Sequence, residues 1–225
     1  PTDMSALVGA GGVKAEKSRM IRGSGVDLDK YTVAPEPQSD LVIIMASRLL
    51  KDKGVYEFVE AARKIKAKGI KVRFQLVGEP DLGNPESVTH DDIQGWRTEG
   101  IVECLGYRTD IAELFSGANI VVLPSYYGEG LPKVLIEAAA CGRAVITTDM
   151  PGCRDAIEPG LTGMLVPARD AISLKNAMVS LLEDPITRQK MGLEGRDLAE
   201  REFSIDSVVS IHLDIYRELE NMVNG

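Results

Sequence analysis

Short apolar runs alternate with longer amphipathic stretches along nearly the whole chain. Leu41–Ala46 and Ile120–Leu123 are apolar throughout, as is typical of strands buried on both faces of a parallel sheet. The runs predict strands at 41–46, 72–77, 101–105, 119–123, 144–148 and 164–166. The stretches between them predict helices at 55–68, 89–96, 110–115, 132–141, 171–183, 185–202 and 205–225. This alternation predicts an α/β fold with a doubly wound parallel sheet and extra C-terminal helices.

The segment from 119 to 142 has the most informative local pattern. A strand ends at Leu123, prolines and glycines follow, and Pro132 is placed to be the first residue of a helix, where its missing N–H costs nothing. Gly142 then ends that helix. At such a strand–turn–helix junction, unpaired N–H groups and the helix dipole favour a bound anion.

Two carboxylates stand at opposite ends of this junction. Glu129 is in the turn, and Glu137 lies within the helix beside its apolar face. Each has an ordinary alternative, since Glu129 is also explained as an exposed turn residue and Glu137 as a surface partner of Lys133. The order of that second pair is the weaker one, with the lysine before the glutamate. Together, and framed by Gly-Leu-Pro and Ala-Ala-Ala-Cys-Gly, the two glutamates are more specific than either alone.

This pattern resembles the donor-binding motif of retaining family 4 glycosyltransferases of the GT-B fold, a glutamate, seven residues and a second glutamate. The resemblance implies that Glu129 contacts the donor sugar and that Glu137 binds the ribose hydroxyls of the nucleotide. A carboxylate suits the second role because it accepts from two vicinal hydroxyls. The resemblance further implies that N–H groups near Gly130 and Leu131 stabilise the leaving phosphate.

Basic residues follow the strand at 41–46. By the same resemblance, Arg48 and Lys53 are the pair that binds the donor diphosphate, and Lys51 is left as the solvated lysine. Phosphates bind in open α/β sheets where strands end and helices begin. Loop cations are common, so a purely solvated role is the alternative for the pair.

Two further turns follow the next strands. Gly78 ends the strand at 72–77, and Gly106, Tyr107 and Arg108 end the strand at 101–105. In the family, the backbone at the second turn faces the nucleotide base. Because the carboxyl ends of parallel strands share one edge, we expect these turns, Arg48 and Glu137 to converge on one donor site.

Composition narrows the class of protein. The chain has 225 residues and a formal net charge of -8, which argues against a nucleic-acid surface or a polybasic membrane patch. The three cysteines are predicted to be reduced, small core residues, not disulfides or metal ligands. His90 and His212 have no partners in a catalytic spacing. No apolar run is long enough for a membrane helix, and no signal peptide is visible, so we expect a cytoplasmic protein.

The resemblance also implies a domain organisation. Residues 1–25 are predicted to be a hinge from a missing N-terminal domain, and residues 26–225 a nucleotide-sugar donor-binding domain. Thr32–Asp40, with two prolines, is predicted to be a linker. A glycan or lipid-linked acceptor would bind through the missing domain, so we expect this chain to be inactive alone.

The implied reaction is the metal-independent, retaining transfer of a hexose or N-acetylhexosamine from a nucleotide sugar, preferably UDP-linked, in surface polysaccharide or oligosaccharide synthesis. No cofactor is implied, because the nucleotide sugar is the substrate. Two alternatives remain open at this stage. One is a non-catalytic nucleotide-sugar-binding module, and the other is a GT-B-like epimerase or phosphorylase domain. The four charged candidates Arg48, Lys53, Glu129 and Glu137 are all present, which argues against a degenerate site.

Overall fold

The computed structural model describes residues 21–38, 40–81, 83–128 and 130–224. Most of the predicted 1–25 segment and the whole of Glu129 therefore lie outside the described residues. Within them, six parallel strands form one sheet. The strands are β1 (Val42–Ala46), β2 (Arg73–Val77), β3 (Glu103–Gly106), β4 (Ile120–Leu123), β5 (Ala144–Thr148) and β6 (Gly163–Val166).

Helices cover both faces of the sheet and extend beyond its last strand. They are α1 (Val55–Ala67), α2 (His90–Glu99), α3 (Ile111–Ser116), α4 (Lys133–Ala140), α5 (Ala171–Glu183), α6 (Pro185–Leu198) and α7 (Ile205–Asn224). Short 3-10 turns occur at Lys51–Lys53 and Arg154–Ala156, and a π-helical turn at Ala199–Phe203 joins α6 to α7. No helix in this described part of the chain is both long and apolar enough to cross a membrane.

The predicted fold class is confirmed, and each predicted strand agrees with the observed one to within two residues. Local signals account for this agreement. Strands β1, β4 and β5 are buried at every position, and α2 begins with a capping box formed by Thr89 and Asp92.

Two details of the helix predictions were wrong. Pro132 is not the first residue of α4, because its ψ of 119° is extended and it precedes the helix. The helix predicted at 185–202 leaves α-helical geometry after Leu198. The wider π-helical turn that follows brings Phe203 into the core, where its carbonyl accepts from Val26 N–H at 2.7 Å.

The order of the strands is β3-β2-β1-β4-β5-β6. The first strand, β1, therefore lies in the middle of the sheet. Strands β2 and β3 follow on one side of it, and β4, β5 and β6 follow on the other side. The carboxyl ends of β1 and β4 flank the point at which the direction of winding reverses. In open α/β sheets, that point leaves a crevice that binds ligands.

The predicted linker has no helix or strand among its described residues. It is nevertheless held in place by contacts with α6 and with the residue that precedes β4. The carboxylate of Glu36 accepts from Arg188 on α6 at 2.8 Å, and both side chains are about 95% buried. Asn119, at the start of β4, also donates to Glu36, at 3.2 Å. The segment is thus part of the packed domain and not a loose connection.

Candidate functional site

A cleft of about 320 Å³ occupies the crevice at the carboxyl end of the sheet. Its lining comes from the ends of three neighbouring strands and from one face of α4. The lining residues are Ala46, Ser47, Arg48, Val77, Gly78, Glu79, Tyr107, Arg108, Ile111, Val134 and Glu137. Five residues predicted from the sequence, namely Arg48, Gly78, Tyr107, Arg108 and Glu137, therefore meet in one cavity.

Gly78 allows β1 and β2 to end close together at the floor of this cleft. Its φ is +136°, and a Cβ atom at this position would lie 2.0 Å from the carbonyl oxygen of Ser47. Real Cβ atoms do not approach backbone oxygen this closely, and L side chains rarely adopt this backbone conformation. A glycine is therefore required here by sterics, whether or not its backbone contacts a ligand.

The cationic side of the cleft is open to solvent. The Arg48 side chain is 63% exposed and has a loose ion pair with Asp81, 3.9 Å away. Arg108 pairs closely with Asp110 at the start of α3, and the neighbouring Tyr107 is 71% exposed at the rim. Arg48 can thus turn toward an anion in the cleft at little cost, whereas Arg108 would first have to leave its carboxylate.

Lys53 does not line this cleft, although it lies on the neighbouring turn. Its side chain is buried, and its ammonium group lies over the ring of Tyr127, 5.3 Å from the centroid. The same turn is fastened to the segment after β4, where Tyr126 N–H donates to the carbonyl of Asp52 at 2.8 Å. Lys53 is therefore held beside the turn that carries the predicted donor contacts.

The remaining predicted residues are distributed around the cleft. Gly106 lines an adjoining cavity of about 360 Å³, which shares Gly78 and Glu79 with the main cleft. Gly130 is exposed, with nothing within 4 Å of the position of a Cβ. Leu131 is partly buried and packs against Gly23. Glu129 lies outside the described residues, so its predicted role stays a prediction.

Glu137 is the least solvated acid of the cleft. Its side chain is 12% exposed, whereas Lys133, 3.9 Å away, is 63% exposed. Burial raises the pKa of the Glu137 carboxyl group, and hydrogen bonding from Tyr31 with the charges of Lys133 and Lys30 partly opposes that rise. Glu137 therefore has the ion pair with Lys133 that was its ordinary alternative, and it is also a partly desolvated acceptor that lines the cavity.

The sequence did not identify Tyr31 as part of the site. Tyr31 is 5% exposed, and its interaction with Glu137 adds to the rise that burial causes in the pKa of the Tyr31 phenol. It precedes Glu137 by more than a hundred residues and lies in no helix or strand, so no periodicity links the two. Val134 could have been found, because it stands three residues before Glu137 on the same helical face.

The raised pKa of Glu137 predicts a pH-dependent effect on stability. A carboxyl group whose pKa is higher in the folded state favours folding at acid pH, and that contribution is lost as the pH rises through the folded pKa. We therefore expect Glu137→Gln to increase the free energy of unfolding at pH 7, with the gain vanishing as the pH falls toward about 4, near the ordinary pKa of glutamate. Urea unfolding between these values measures it.

The control for this experiment is Glu113→Gln, an exposed glutamate on α3. Its substitution should leave the free energy of unfolding close to the wild-type value, because the side chain is exposed. A gain at Glu137→Gln that is equally large at both ends of the range would contradict the assignment to desolvation.

The chain matches a family model described as glycosyl transferases group 1 over residues 30–198. An N,N'-diacetylbacillosaminyl-diphospho-undecaprenol alpha-1,3-N-acetylgalactosaminyltransferase of Campylobacter jejuni is 34% identical over 186 residues, which are 77% of this chain and 47% of that protein. The capsular polysaccharide biosynthesis glycosyltransferase CapM of Staphylococcus aureus is 29% identical over 185 residues, 82% of this chain and 46% of CapM. The chain thus spans about half the length of these relatives.

Solved structures share the fold. Sucrose-phosphate synthase from Thermosynechococcus elongatus superimposes with a TM-score of 0.82 at 27% identity, over 98% of this chain and 57% of that one. HepE of Anabaena, solved in complex with UDP and glucose, superimposes with a TM-score of 0.81 at 24% identity, over 95% of this chain and 60% of that one.

Proposed function

Because the chain belongs to the glycosyl transferases group 1 family, we propose that it is the donor-binding half of a retaining glycosyltransferase. It would hold a nucleotide sugar, preferably UDP-linked, for transfer of a hexose or N-acetylhexosamine to a glycan or lipid-linked acceptor. The observation that carries the proposal is one cleft, at the switch point of the sheet, with Arg48 on one side and the desolvated Glu137 on the other.

The nucleoside would lie between these two residues. Glu137 would accept from the two ribose hydroxyls, which a carboxylate does more strongly than a neutral acceptor. The backbone around Gly106, Tyr107 and Arg108 would face the base. The open rim at Tyr107 supports this placement because a planar base could cover its exposed ring.

The diphosphate would lie on the cationic side. Departure of the nucleoside diphosphate leaves an oxocarbenium-like sugar and a growing negative charge on the β-phosphate. Arg48, Lys53 and the N–H groups near Gly130 and Leu131 would stabilise that charge, supported by the N-terminal end of α4. These cations would supply the positive charge that a divalent metal ion provides in other transferases.

The sugar would lie beyond the phosphates, held by Glu129. The acceptor, and any catalytic group that another half of the enzyme supplies, would lie outside this chain. By itself the chain would then bind the donor without transferring the sugar. A role in surface polysaccharide or oligosaccharide synthesis is supported by the capsular polysaccharide and undecaprenol-linked functions in the names of the two relatives.

The first test is a calorimetric titration of the chain with UDP, GDP and ADP, repeated on Glu137→Gln. We expect one nucleotide to bind best and the substitution to weaken it by about tenfold or more, because one charge-assisted hydrogen-bond acceptor is lost. Glu137→Gln preserves the shape of the side chain, so lost affinity reports lost charge.

The control is Glu60→Gln, which removes a charge from the exposed face of α1 without touching the cleft. It should bind the nucleotide as the wild type does. A folded wild type that binds none of the three nucleotides would overturn the proposal. A Glu137→Gln variant that binds the nucleotide with unchanged affinity would overturn the assignment of Glu137 to the ribose.

A further inference from the structure

Arg169 is the one residue other than glycine, in the part of the chain that the structure describes, with a left-handed backbone. Its φ is +59°, in the loop that joins β6 to α5. An arginine here is strained, because its Cβ atom crowds a neighbouring carbonyl oxygen, and a glycine would remove that strain. Strained residues persist where their surroundings hold them, and they cluster at functional sites. The contacts of the Arg169 side chain are therefore informative about function.

The side chain of Arg169 lies over the ring of Tyr126. The central carbon of the guanidinium is 4.4 Å from the ring centroid. Attraction between a guanidinium and the face of a tyrosine ring extends to about 6 Å, so this contact is a close one. Arg169 is exposed, and within the described residues its guanidinium forms no ion pair. The ring of Tyr126 is therefore the contact that orients this side chain.

Tyr126 connects this loop to the 3-10 turn after β1. It belongs to the segment 124–128, which follows β4 and leads toward α4. The N–H of Tyr126 donates to the carbonyl of Asp52 on the 3-10 turn at 2.8 Å. The next residue, Tyr127, carries the ammonium group of Lys53 over its ring at 5.3 Å. Two successive tyrosines thus join the ends of three strands, β1, β4 and β6.

The surroundings of Tyr126 are acidic. Burial raises the pKa of Tyr126, and the charges of Glu57, Asp52 and Glu86 raise it further, whereas Arg169 lowers it. A phosphate that approached Arg169 at this ring would meet the same carboxylates. They repel an anion but attract the guanidinium, so the surroundings favour a structural contact between Arg169 and the ring over direct binding of an anion.

We propose that Arg169 is a positioning residue, which holds the ring of Tyr126 and so keeps the segment 124–128 against the 3-10 turn of Lys53. That segment leads to the N–H groups near Gly130, and the turn carries Lys53. The contact would thus fix two parts of the proposed diphosphate site relative to each other. Parts that are already ordered bind more tightly, because the ligand does not have to order them. The inference rests on the proposed function for the identity of the ligand, though not for the contact itself.

The amide of Tyr126 provides a measurement that needs no ligand. Its N–H joins the two segments that Arg169 is proposed to hold together, so its hydrogen exchange reports their separation. Arg169→Gln removes the charge and keeps a side chain of similar kind. We expect the Tyr126 amide to exchange about three- to tenfold faster in this variant. NMR of the full chain labelled with nitrogen-15 tyrosine measures the rate. An unchanged rate would overturn the proposal.

The same sample contains an internal control. The N–H of Tyr31 donates to the carbonyl of Asp27 at 3.0 Å, in the segment that precedes β1. Its exchange rate should be the same in Arg169→Gln and in the wild type. Equal acceleration of both amides would show a general loss of stability and would refute positioning by Arg169.

Arg154→Gln is the matched control variant. Arg154 follows β5 at the same edge of the sheet and pairs with Asp149. Its substitution removes a guanidinium without removing the contact on Tyr126, so the Tyr126 amide should exchange as in the wild type. An acceleration equal to that of Arg169→Gln would show an effect of net charge and would contradict the proposed contact.

Two further variants separate the cation from the strained backbone. Arg169→Lys keeps a cation that can lie over the ring, and its Tyr126 amide should exchange at a rate closer to the wild type than to Arg169→Gln. Arg169→Gly relieves the strain but removes the cation, and it should exchange at least as fast as Arg169→Gln. Wild-type exchange in the glycine variant would show that the position only forms a turn and would overturn the proposal. A lysine variant as fast as Arg169→Gln would refute the role of the cation.

The second readout is the affinity for UDP and for UMP, measured by calorimetry. Arg169→Gln should bind UDP about three- to tenfold more weakly than the wild type, and the loss for UMP should be smaller. Tyr126→Leu, which removes the ring, should show the same loss for UDP. Adding Arg169→Gln to Tyr126→Leu should then cause no further loss, because the two residues act as one unit. Additive losses would show that Arg169 acts independently of Tyr126 and would refute positioning.

The two readouts separate the failure of this inference from that of the proposed function. Faster exchange of the Tyr126 amide in Arg169→Gln, with a wild type that binds no nucleotide, would support the contact and overturn the donor function. Faster exchange with unchanged affinity for UDP, in a wild type that binds UDP, would leave the donor function intact and refute positioning for the diphosphate.

Discussion

Replacing Arg188 by alanine is expected to lower the free energy of unfolding by about 3–5 kcal/mol, a large share of the stability of a typical domain. The substitution removes the ion-pair partner of the Glu36 carboxylate, whose side chain is about 95% buried. Arg188 also donates to the carbonyl of Leu181 near the end of α5, at 2.7 Å. Equilibrium unfolding in urea, monitored by circular dichroism, measures the loss.

Two controls identify the cause of that loss. Arg217→Ala breaks an ion pair with Asp214 whose side chains are 71% and 61% exposed, and it should change the free energy by no more than about 0.5 kcal/mol. The double substitution Arg188→Met/Glu36→Leu removes both buried charges and should recover most of the stability, because an apolar pair avoids the desolvation of two ions. An Arg188→Ala variant as stable as Arg217→Ala would show that the buried pair contributes little.

The double substitution Arg48→Ala/Lys53→Ala is expected to weaken binding of UDP by about a hundredfold or more, since each charge-assisted contact is worth about 1.5–3 kcal/mol. The loss should be confined to the diphosphate. We therefore expect the wild type to prefer UDP over UMP and the variant to bind the two with similar affinity. Calorimetric titration with both nucleotides measures this preference.

Lys51→Ala is the matched control for that experiment, because Lys51 stands on the same 3-10 turn as Lys53. It should bind UDP as the wild type does. If the double variant kept its preference for UDP, the diphosphate would have to be bound elsewhere, whatever the fate of the ribose contact at Glu137.

Local patterns in the sequence were sufficient to predict the fold. Hydrophobic runs marked the strands, and α2 begins one residue after the start predicted for it. The helix at 171–183 was predicted to the residue. Such signals act over a few neighbouring residues, through burial of one strand or through one turn of helix. The family resemblance then supplied what periodicity does not contain, the roles proposed for the two glutamates.

The convergence on one cleft was also predictable, because the carboxyl ends of parallel strands meet at the same edge. Which side chains line it was only partly predictable. Arg48 and Glu137 line the cleft, whereas the ammonium group of Lys53 lies over the ring of Tyr127. Sequence position placed both cations after β1, and packing of the 3-10 turn against the segment after β4 determined their different surroundings.

The sequence by itself determined the order of the elements, the class of fold and the chemical type of the candidate site. The tertiary structure alone decided that the proline-containing segment is fixed by a pair separated by 152 residues, Glu36 and Arg188. It likewise decided that the Glu137 side chain is largely removed from solvent, with 12% of it exposed. Backbone preferences are encoded locally, but burial and pairing depend on which surfaces meet when the chain is compact, and no local pattern records that.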